Sequence, residues 1–370
     1  MQPLPRSLGV IEYTTMLVAA IIGNVLFVWP GHVVAAAGED ALGSIGFVIL
    51  GVLVSGLLHH QVVQRSQDIP ALRVPLRISA GLGMGLAALM DLALVTLLTQ
   101  MLHTLFYADT PRWALLLPLL AMVAWGSGIT LDALGRLMQL WVPLGGFVLA
   151  VIAAIGLIHA THVRPLWPQQ WYLRPMLQGT GVMAYLLVPV GPAVACLAPH
   201  VNAAGGAIRR GFLAAGGVLS LTLLAIYVLV TLMLGPNAIA HLRWPLVYSL
   251  ETITLDSTFF ISRVGLAVIF LWTAVVALAF AVHLRLTVLV VAPRARAVPF
   301  WLSGGLTSLY GIGLVVFPTP SASTHWILRD MDPIALGYLI VAQCVLTIAL
   351  VVGLRCRPHR IRSSPHPDTG

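Results

Sequence analysis

The chain contains about ten apolar stretches, each long enough to cross a lipid bilayer. A membrane-spanning helix needs roughly 20 predominantly apolar residues. The stretches are 9–36, 41–62, 78–106, 113–130, 138–160, 176–199, 211–234, 258–281, 299–318 and 333–354. The connectors between them are short, and none is long enough to form a separate folded domain. The pattern therefore predicts an all-α integral membrane protein with about ten transmembrane helices.

Charge supports the same interpretation. Only 9% of the residues are charged and 59% are hydrophobic, whereas soluble proteins carry about 25% charged residues. Such a chain lacks the polar surface needed to cover a water-facing globule. We expect one transmembrane domain over residues 1–354, followed by a cytoplasmic polar tail over 355–370. The basic residues do not cluster on a soluble module, so we expect the lipid bilayer, and no nucleic acid, as a partner.

The arginines predict the orientation. All 20 basic residues are arginine, and 14 of them fall at the N-terminus, in the even-numbered loops or at the C-terminus. This set includes Arg285, which lies beyond the predicted eighth span. Cytoplasmic loops of membrane proteins carry an excess of basic residues. The asymmetry predicts an even number of spans, with both termini in the cytoplasm.

Two spans contain residues that interrupt a helix near the middle of the membrane. The first has Gly23 and Asn24, and the sixth has Pro189, Gly191 and Pro192. Proline removes a backbone donor, and unwound backbone within a bilayer must lie against protein or a cavity. Interruptions at matching positions of two halves are typical of inverted-repeat transporters. The pattern predicts a five-plus-five inverted repeat with helices 1 and 6 broken. The alternative is that glycine and proline are simply common in membrane helices.

Asp91 lies near the middle of the third span. A carboxylate at that depth is costly and normally faces a cavity or a partner. Asp91 is therefore a candidate to bind a coupling cation, to relay a proton or to pair with an arginine. Alternatively, the helix is shifted and Asp91 forms hydrogen bonds with neighbouring hydroxyl groups.

The sequence argues against an enzyme. The absence of lysine excludes a Walker A lysine and a lysine Schiff base. No Ser-His-Asp order or pair of catalytic carboxylates stands out. His159 and His162 have a spacing that could bind a metal, but no carboxylate or cysteine lies nearby in the sequence, so we interpret them as interfacial. We predict no enzymatic activity, no cofactor and no metal site.

A series of short motifs runs from the first predicted span to the eighth. They comprise Gly23 and Pro30, the segment 38–41, Thr110 and Pro111, Asp132 and Arg136, Pro143, Gly191 and Pro199, Gly235, Trp244 and Pro245, Ile253, Arg263 and Trp272. In order and spacing they resemble the spore germination permeases, the membrane B subunits of nutrient germinant receptors, within the amino acid–polyamine–cation transporter superfamily. The chain departs from that family at Leu42, where tryptophan is usual, and at Pro192, where an acidic residue is common.

The resemblance implies a membrane subunit of a spore nutrient germinant receptor. Such a subunit binds a small germinant, an amino acid or similar solute, and acts with A and C subunits in the spore inner membrane or the cell membrane. The alternative function is an amino-acid or cation symporter of the same fold. Of the three candidate functions, a membrane-embedded enzyme is the least favoured.

The predicted ligand site lies between the two interruptions. Its candidate residues are Gly23, Asn24, Val25, Tyr185, Pro189, Gly191 and Pro192. The Asn24 amide both donates and accepts hydrogen bonds, and a half-helix N-terminus offers N–H groups to a carboxylate. No side-chain base is near in sequence. We therefore expect a zwitterionic or neutral solute, held mainly by backbone dipoles and shape.

Overall fold

The structure is a computed structural model that describes residues 8–22, 29–105, 107–158, 170–242, 244–251, 264–295, 297–312, 316, 319, 322 and 326–355. The α-helices are α1 (Val10–Ile22), α2 (Trp29–Ala37), α3 (Ala41–Asp68), α4 (Arg73–Leu105), α5 (Arg112–Gly128), α6 (Leu131–Ile158), α7 (Leu173–Gly181), α8 (Val190–Leu197), α9 (Gly205–Leu234), α10 (Pro236–His241), α11 (Pro245–Glu251), α12 (Val264–Val291), α13 (Phe300–Ser308) and α14 (Asp332–Arg355). Ala184–Leu187 forms a 3-10 helix, and Trp326–Met331 forms a π-helix. An isolated bridge joins Leu8 to Val201.

Six helical segments of the described chain are long and apolar enough to cross a membrane. They are Trp29–Asp68, Pro70–Thr104, Leu131–Ile158, Gly205–Leu234, Leu271–Val291 and Asp332–Leu354. A seventh follows if the bent pair Leu173–Gly181 and Ala184–His200 forms one span, and α1 and α5 are shorter apolar helices. The all-α, multi-pass membrane architecture is confirmed. The count of ten spans and the inverted repeat stay predictions.

Helix α1 lies at the centre of the bundle. It packs against α6, α8, α9 and α12. Tyr13 and the whole run from Thr15 to Ile22 are buried. Helices α4 and α12 pack against each other next to it. A helix buried on all sides belongs in the interior of a bundle, so the end of α1 lies among protein side chains rather than lipid.

Helices α6 and α14 lie at the periphery. On α6, Leu140, Phe147 and Ile158 expose most of their apolar side chains, and on α14 Ile340 and Ile348 do the same. Large exposed apolar surfaces on soluble monomers are uncommon. Along helices long enough to span a bilayer, such surfaces are suited to contact with lipid chains.

Arg285 corrects one detail of the predicted topology. The eighth span was expected to end at 281, with Arg285 in the following loop. Helix α12 instead continues to Val291, and the Arg285 side chain is fully buried. Its Nη2 donates to the carbonyl oxygen of Ala295 at 2.7 Å. A buried polar side chain is tolerated within a membrane protein where it finds such a partner.

Candidate solute site and its polar surroundings

Two described helices flank the interruption that the sequence predicts in the first span. Helix α1 ends at Ile22, and α2 begins at Trp29. Three of the predicted ligand residues, Gly23, Asn24 and Val25, fall in the intervening segment 23–28, which lies outside the described residues. The last four carbonyl groups of an α-helix have no partner within that helix. The carbonyl group of Ala20, in the last described turn of α1, lies in the interior and accepts a hydrogen bond from outside the helix.

The sixth span is also divided, but not at the predicted place. Helix α7 and the segment from Ala184 to His200 meet at a bend of 62°. The break lies at 182–189, and Pro189 precedes the first residue of α8. Gly191 and Pro192 were expected to be unwound, yet both lie in the first turn of α8. Proline is tolerated there because first-turn N–H groups have no helical acceptor.

The structure brings α1 and the divided sixth span together in the interior. Helix α1 packs directly against α8. Tyr185 lies in the 3-10 helix between α7 and α8, and it is buried together with Pro189, Gly191 and Pro192. The four described members of the predicted ligand set thus share one buried region. Their role in ligand binding stays a prediction.

Gly191 allows a histidine from α3 to lie against the backbone of α8. A Cβ atom added at Gly191 would lie 2.2 Å from Cε1 of His59. The His59 ring is fixed by two hydrogen bonds: Nδ1 donates to the Ser55 carbonyl oxygen at 2.8 Å, and Nε2 lies 3.2 Å from the Ser79 hydroxyl. Because a carbonyl only accepts, Nδ1 carries a proton, and in the neutral ring Nε2 accepts from Ser79. Gly191 therefore has a packing role in this structure.

The same polar network continues to α14. The Tyr338 hydroxyl donates to the Ser79 carbonyl oxygen at 3.0 Å, and Gln343 Nε2 donates to the Ser55 hydroxyl at 2.8 Å. A Cβ atom at Gly83 would lie 2.3 Å from both Pro192 Cγ and the Tyr338 hydroxyl. The absence of a side chain at Gly83 lets α4, α8 and α14 meet closely beside the divided sixth span.

Asp91 faces the interior, as the sequence predicted. Its side chain is fully buried in α4, and it pairs with His283 of α12, which is equally buried. The distance from His283 Nδ1 to Asp91 Oδ2 is 2.9 Å. His283 Nε2 donates to the Ala20 carbonyl oxygen, in the last turn of α1, at 2.6 Å. The pair therefore connects three helices near the last described residues of α1.

Hydrogen-bond chemistry determines how many protons this centre holds. The Ala20 carbonyl can only accept, so His283 Nε2 carries a proton. One further proton must lie between Nδ1 and the carboxyl group of Asp91. It resides either on the imidazole, giving an ion pair, or on the carboxyl group, giving two neutral side chains. In both cases the buried pair has no net charge, which avoids the cost of an isolated ion.

Sequence reasoning found Asp91 but missed His283. The two residues are 192 positions apart, and His283 lies just beyond the predicted end of the eighth span. The sequence feature that could have identified His283 is its position as a polar residue within an apolar run that continues to Val291. Within the described part of the chain, no group of three His, Cys, Asp or Glu residues could hold a metal ion. His159 and His162 lie outside the described residues.

Comparisons with known proteins give one sequence match and several distant structural ones. A family model described as "Spore germination protein" matches residues 7–293. No curated protein matches the chain significantly in sequence. Among solved structures, the manganese transporter of Eremococcus coleocola in complex with an aromatic bis-isothiourea substituted compound has 15% identity and a TM-score of 0.47. A mutant of that transporter has 14% identity and a TM-score of 0.49. Each alignment covers 94% of this chain and 78% of the transporter.

Proposed function

Because the chain belongs to the spore germination protein family, we propose that it is the membrane subunit of a spore nutrient germinant receptor. It binds a small germinant, an amino acid or similar solute, between its divided first and sixth spans, and this binding triggers germination. In this role it acts with the A and C subunits in the spore inner membrane or the cell membrane, with both termini cytoplasmic. The described chain, with its multiple apolar spans, supports residence in a membrane.

One observation carries the proposal. Helices α1 and α8, which flank the two breaks, pack against each other in the interior of the bundle. Ligands of transporters with broken helices bind at such breaks because half-helix ends offer unpaired backbone groups. Here α1 supplies carbonyl groups, and the start of α2 supplies the positive end of a helix dipole suited to a carboxylate.

Binding of the solute would shift the equilibrium between two conformations of the helix bundle. A solute held by both half-helices stabilises the arrangement in which they are closest, and this shifts the equilibrium towards that arrangement. The Asp91–His283 pair lies at the end of α1, so any movement of α1 must either carry the pair along or break the hydrogen bond to Ala20. The proposed signal is thus a rocking movement in which α1 shifts relative to the rest of the bundle.

The experiment uses spores in which this chain is the B subunit of the tested receptor. The changes are Asn24→Ala in the predicted site and Asn202→Ala at an exposed position, as a matched control. Release of dipicolinic acid is measured after exposure to each proteinogenic amino acid. The proposal expects loss of the response in N24A and a normal response in N202A. An undiminished response in N24A spores with normal protein levels would overturn the proposed site.

A second candidate function is a proton-coupled symporter of the same fold. The observation that favours it is the buried Asp91–His283 pair, which holds a proton between two ionisable groups. Uptake of amino acids into proteoliposomes under an imposed pH gradient tests it. A symporter would accumulate solute only with the gradient, and Asp91→Asn would abolish that dependence. Absence of gradient-driven uptake in reconstituted wild-type protein would exclude this function.

A further inference from the structure

Helices α4 and α12 pack against each other in antiparallel directions. Asp91 of α4 pairs with His283 of α12. Further along, a Cβ atom added at Gly81 would lie 3.3 Å from Val290 Cγ1. Residue numbers fall along α4 as they rise along α12. The start of α4 and the end of α12 therefore lie side by side at one end of the bundle, and we call this place the α4–α12 junction.

Positive charge is concentrated around this junction. Arg77 lies one helical turn before Gly81, and Arg294 lies in the turn that follows α12. Both side chains are exposed. The segments 60–81 and 286–298 together contain five arginines and one acidic residue, namely Arg65, Arg73, Arg77, Arg294, Arg296 and Asp68. This end of the bundle therefore carries an excess of positive charge.

Arg73 has a structural role in the same region. Its Nε donates to the carbonyl oxygen of Ser66 at 3.0 Å, which ties the start of α4 to the end of α3. Arg77 and Arg294 lie closer to the line of contact between α4 and α12. They are therefore the arginines best placed to meet a ligand at the junction.

The surface of α4 next to Arg77 is apolar and exposed. Val74, Ile78 and Leu82 each expose more than half of their side chains, and Val291 at the end of α12 is 84% exposed. The spacing of four residues places the three α4 side chains in one stripe along the helix. Because α4 lies in a segment that can cross a membrane, this stripe is suited to lipid chains. Arg77 lies near the start of that segment, at the level of the lipid headgroups.

An anionic phospholipid matches both the charge and the apolar stripe. A guanidinium group binds phosphate oxygens through paired hydrogen bonds, and basic pockets between membrane helices bind anionic headgroups. A soluble anion would satisfy the arginines but leave the stripe uncovered. A zwitterionic lipid would bring its own positive group towards the arginines, which is unfavourable.

We propose that an anionic phospholipid binds at the α4–α12 junction, with its phosphate between Arg77 and Arg294 and its acyl chains along the stripe of Val74, Ile78 and Leu82. The lipid would join the two helices that carry Asp91 and His283. This site is separate from the proposed solute site, so each can be tested without the other.

The test titrates the purified full-length chain, in a neutral maltoside detergent, with dioleoyl phosphatidylglycerol or dioleoyl phosphatidylcholine. Native mass spectrometry measures the bound lipid. We expect the wild type to prefer phosphatidylglycerol. In the double variant Arg77→Gln, Arg294→Gln the affinity for this lipid should fall by about thirtyfold, because two charged contacts to the phosphate are lost.

The matched control is the double variant Arg209→Gln, Arg210→Gln. It removes the same charge from exposed positions near the start of α9. These lie at the same end of the bundle, since a Cβ atom at Gly205 would overlap the side chain of Gln64 near the end of α3. We expect this control to bind phosphatidylglycerol as the wild type does.

Three results would overturn the proposal. The first is equal binding of the two lipids by the wild type, and the second is equal phosphatidylglycerol affinity in the two double variants. The third is competition by soluble glycerol phosphate as strong as that of the lipid, which would assign the arginines to a soluble anion. If the first double variant is not recovered, the single variants Arg77→Gln and Arg294→Gln replace it. Each should lose about fivefold in affinity, and an undiminished affinity in both would overturn the site.

Discussion

Two buried carboxyl groups in this protein have opposite surroundings. Asp91 lies between α4 and α12 and shares a proton with His283, which also holds the last turn of α1. Asp332 lies against the bend between α7 and α8 without a hydrogen-bond partner in the described chain. The first carboxyl group is compensated by the protein itself and therefore contributes to the fold. For the second, no hydrogen-bond partner lies among the described residues.

The largest expected effect comes from breaking the compensated pair. His283→Leu removes the hydrogen bonds to Asp91 and to the Ala20 carbonyl. We expect the free energy of unfolding to fall by about 3–5 kcal/mol, as for other buried pairs that lose one partner. Unfolding by a denaturing detergent measures it, with His241→Leu at an exposed position as the control. A loss below about 1 kcal/mol would show that the pair does not stabilise the fold.

Next in size is the close contact between α8 and α3. Gly191→Ala would place a methyl group in the His59 ring, and we expect a loss of about 2 kcal/mol from overpacking. Gly181→Ala is the matched control, because a Cβ atom there meets nothing within 4 Å. Adding His59→Ala should restore part of the loss. If G191A matches G181A in stability, the contact does not constrain α8, and the ligand role of Gly191 becomes the better explanation.

The second buried carboxyl group should respond in the opposite direction. Asp332→Asn replaces a buried ionisable carboxyl group by a neutral amide of similar size, and we expect the free energy of unfolding to rise by about 1–2 kcal/mol, because a buried charge without a partner is costly. Asp330→Asn at the exposed position should change it by less than about 0.5 kcal/mol. The same denaturation measurement applies. A destabilisation as large as that of His283→Leu would show that Asp332 is structurally paired and would remove the contrast between the two carboxyl groups.

The smallest expected effect concerns the attachment of α14. Tyr338→Phe removes the hydrogen bond to the Ser79 carbonyl oxygen, and we expect a loss of about 1 kcal/mol. Tyr172→Phe changes an exposed tyrosine and is the control. The measurement is again stability in a denaturing detergent. Equal stability of the two variants would mean that apolar packing alone holds α14 beside the sixth span.

The sequence predicted the all-α membrane architecture well, because the length and the apolarity of each span can be read from the local sequence. The division of the first span was predicted from Gly23 and Asn24, and separate helices flank that segment. The division of the sixth span was predicted a few residues too late. The reason is that Pro189 and Pro192 start a half-helix as readily as they interrupt one.

The buried polar pairs could not be predicted, because they depend on contacts between distant helices. The predicted bounds 258–281 and 333–354 leave His283, Arg285 and Asp332 outside the spans, because a polar residue next to an apolar run is typical of a span boundary. In the structure all three are buried parts of helices. Only the three-dimensional arrangement distinguishes a polar residue at a membrane surface from one that faces a partner inside the bundle.

The most direct test of the account is equilibrium binding of radiolabelled amino acids to the purified full-length chain. The account predicts that at least one amino acid binds. It predicts that Asn24→Ala weakens this binding by about tenfold or more, since a hydrogen bond to a charged ligand contributes about 1.5–3 kcal/mol. The exposed control Asn202→Ala should bind as the wild type does. Equal affinity of N24A and wild type, or no binding of any amino acid, would contradict a solute site between the divided spans.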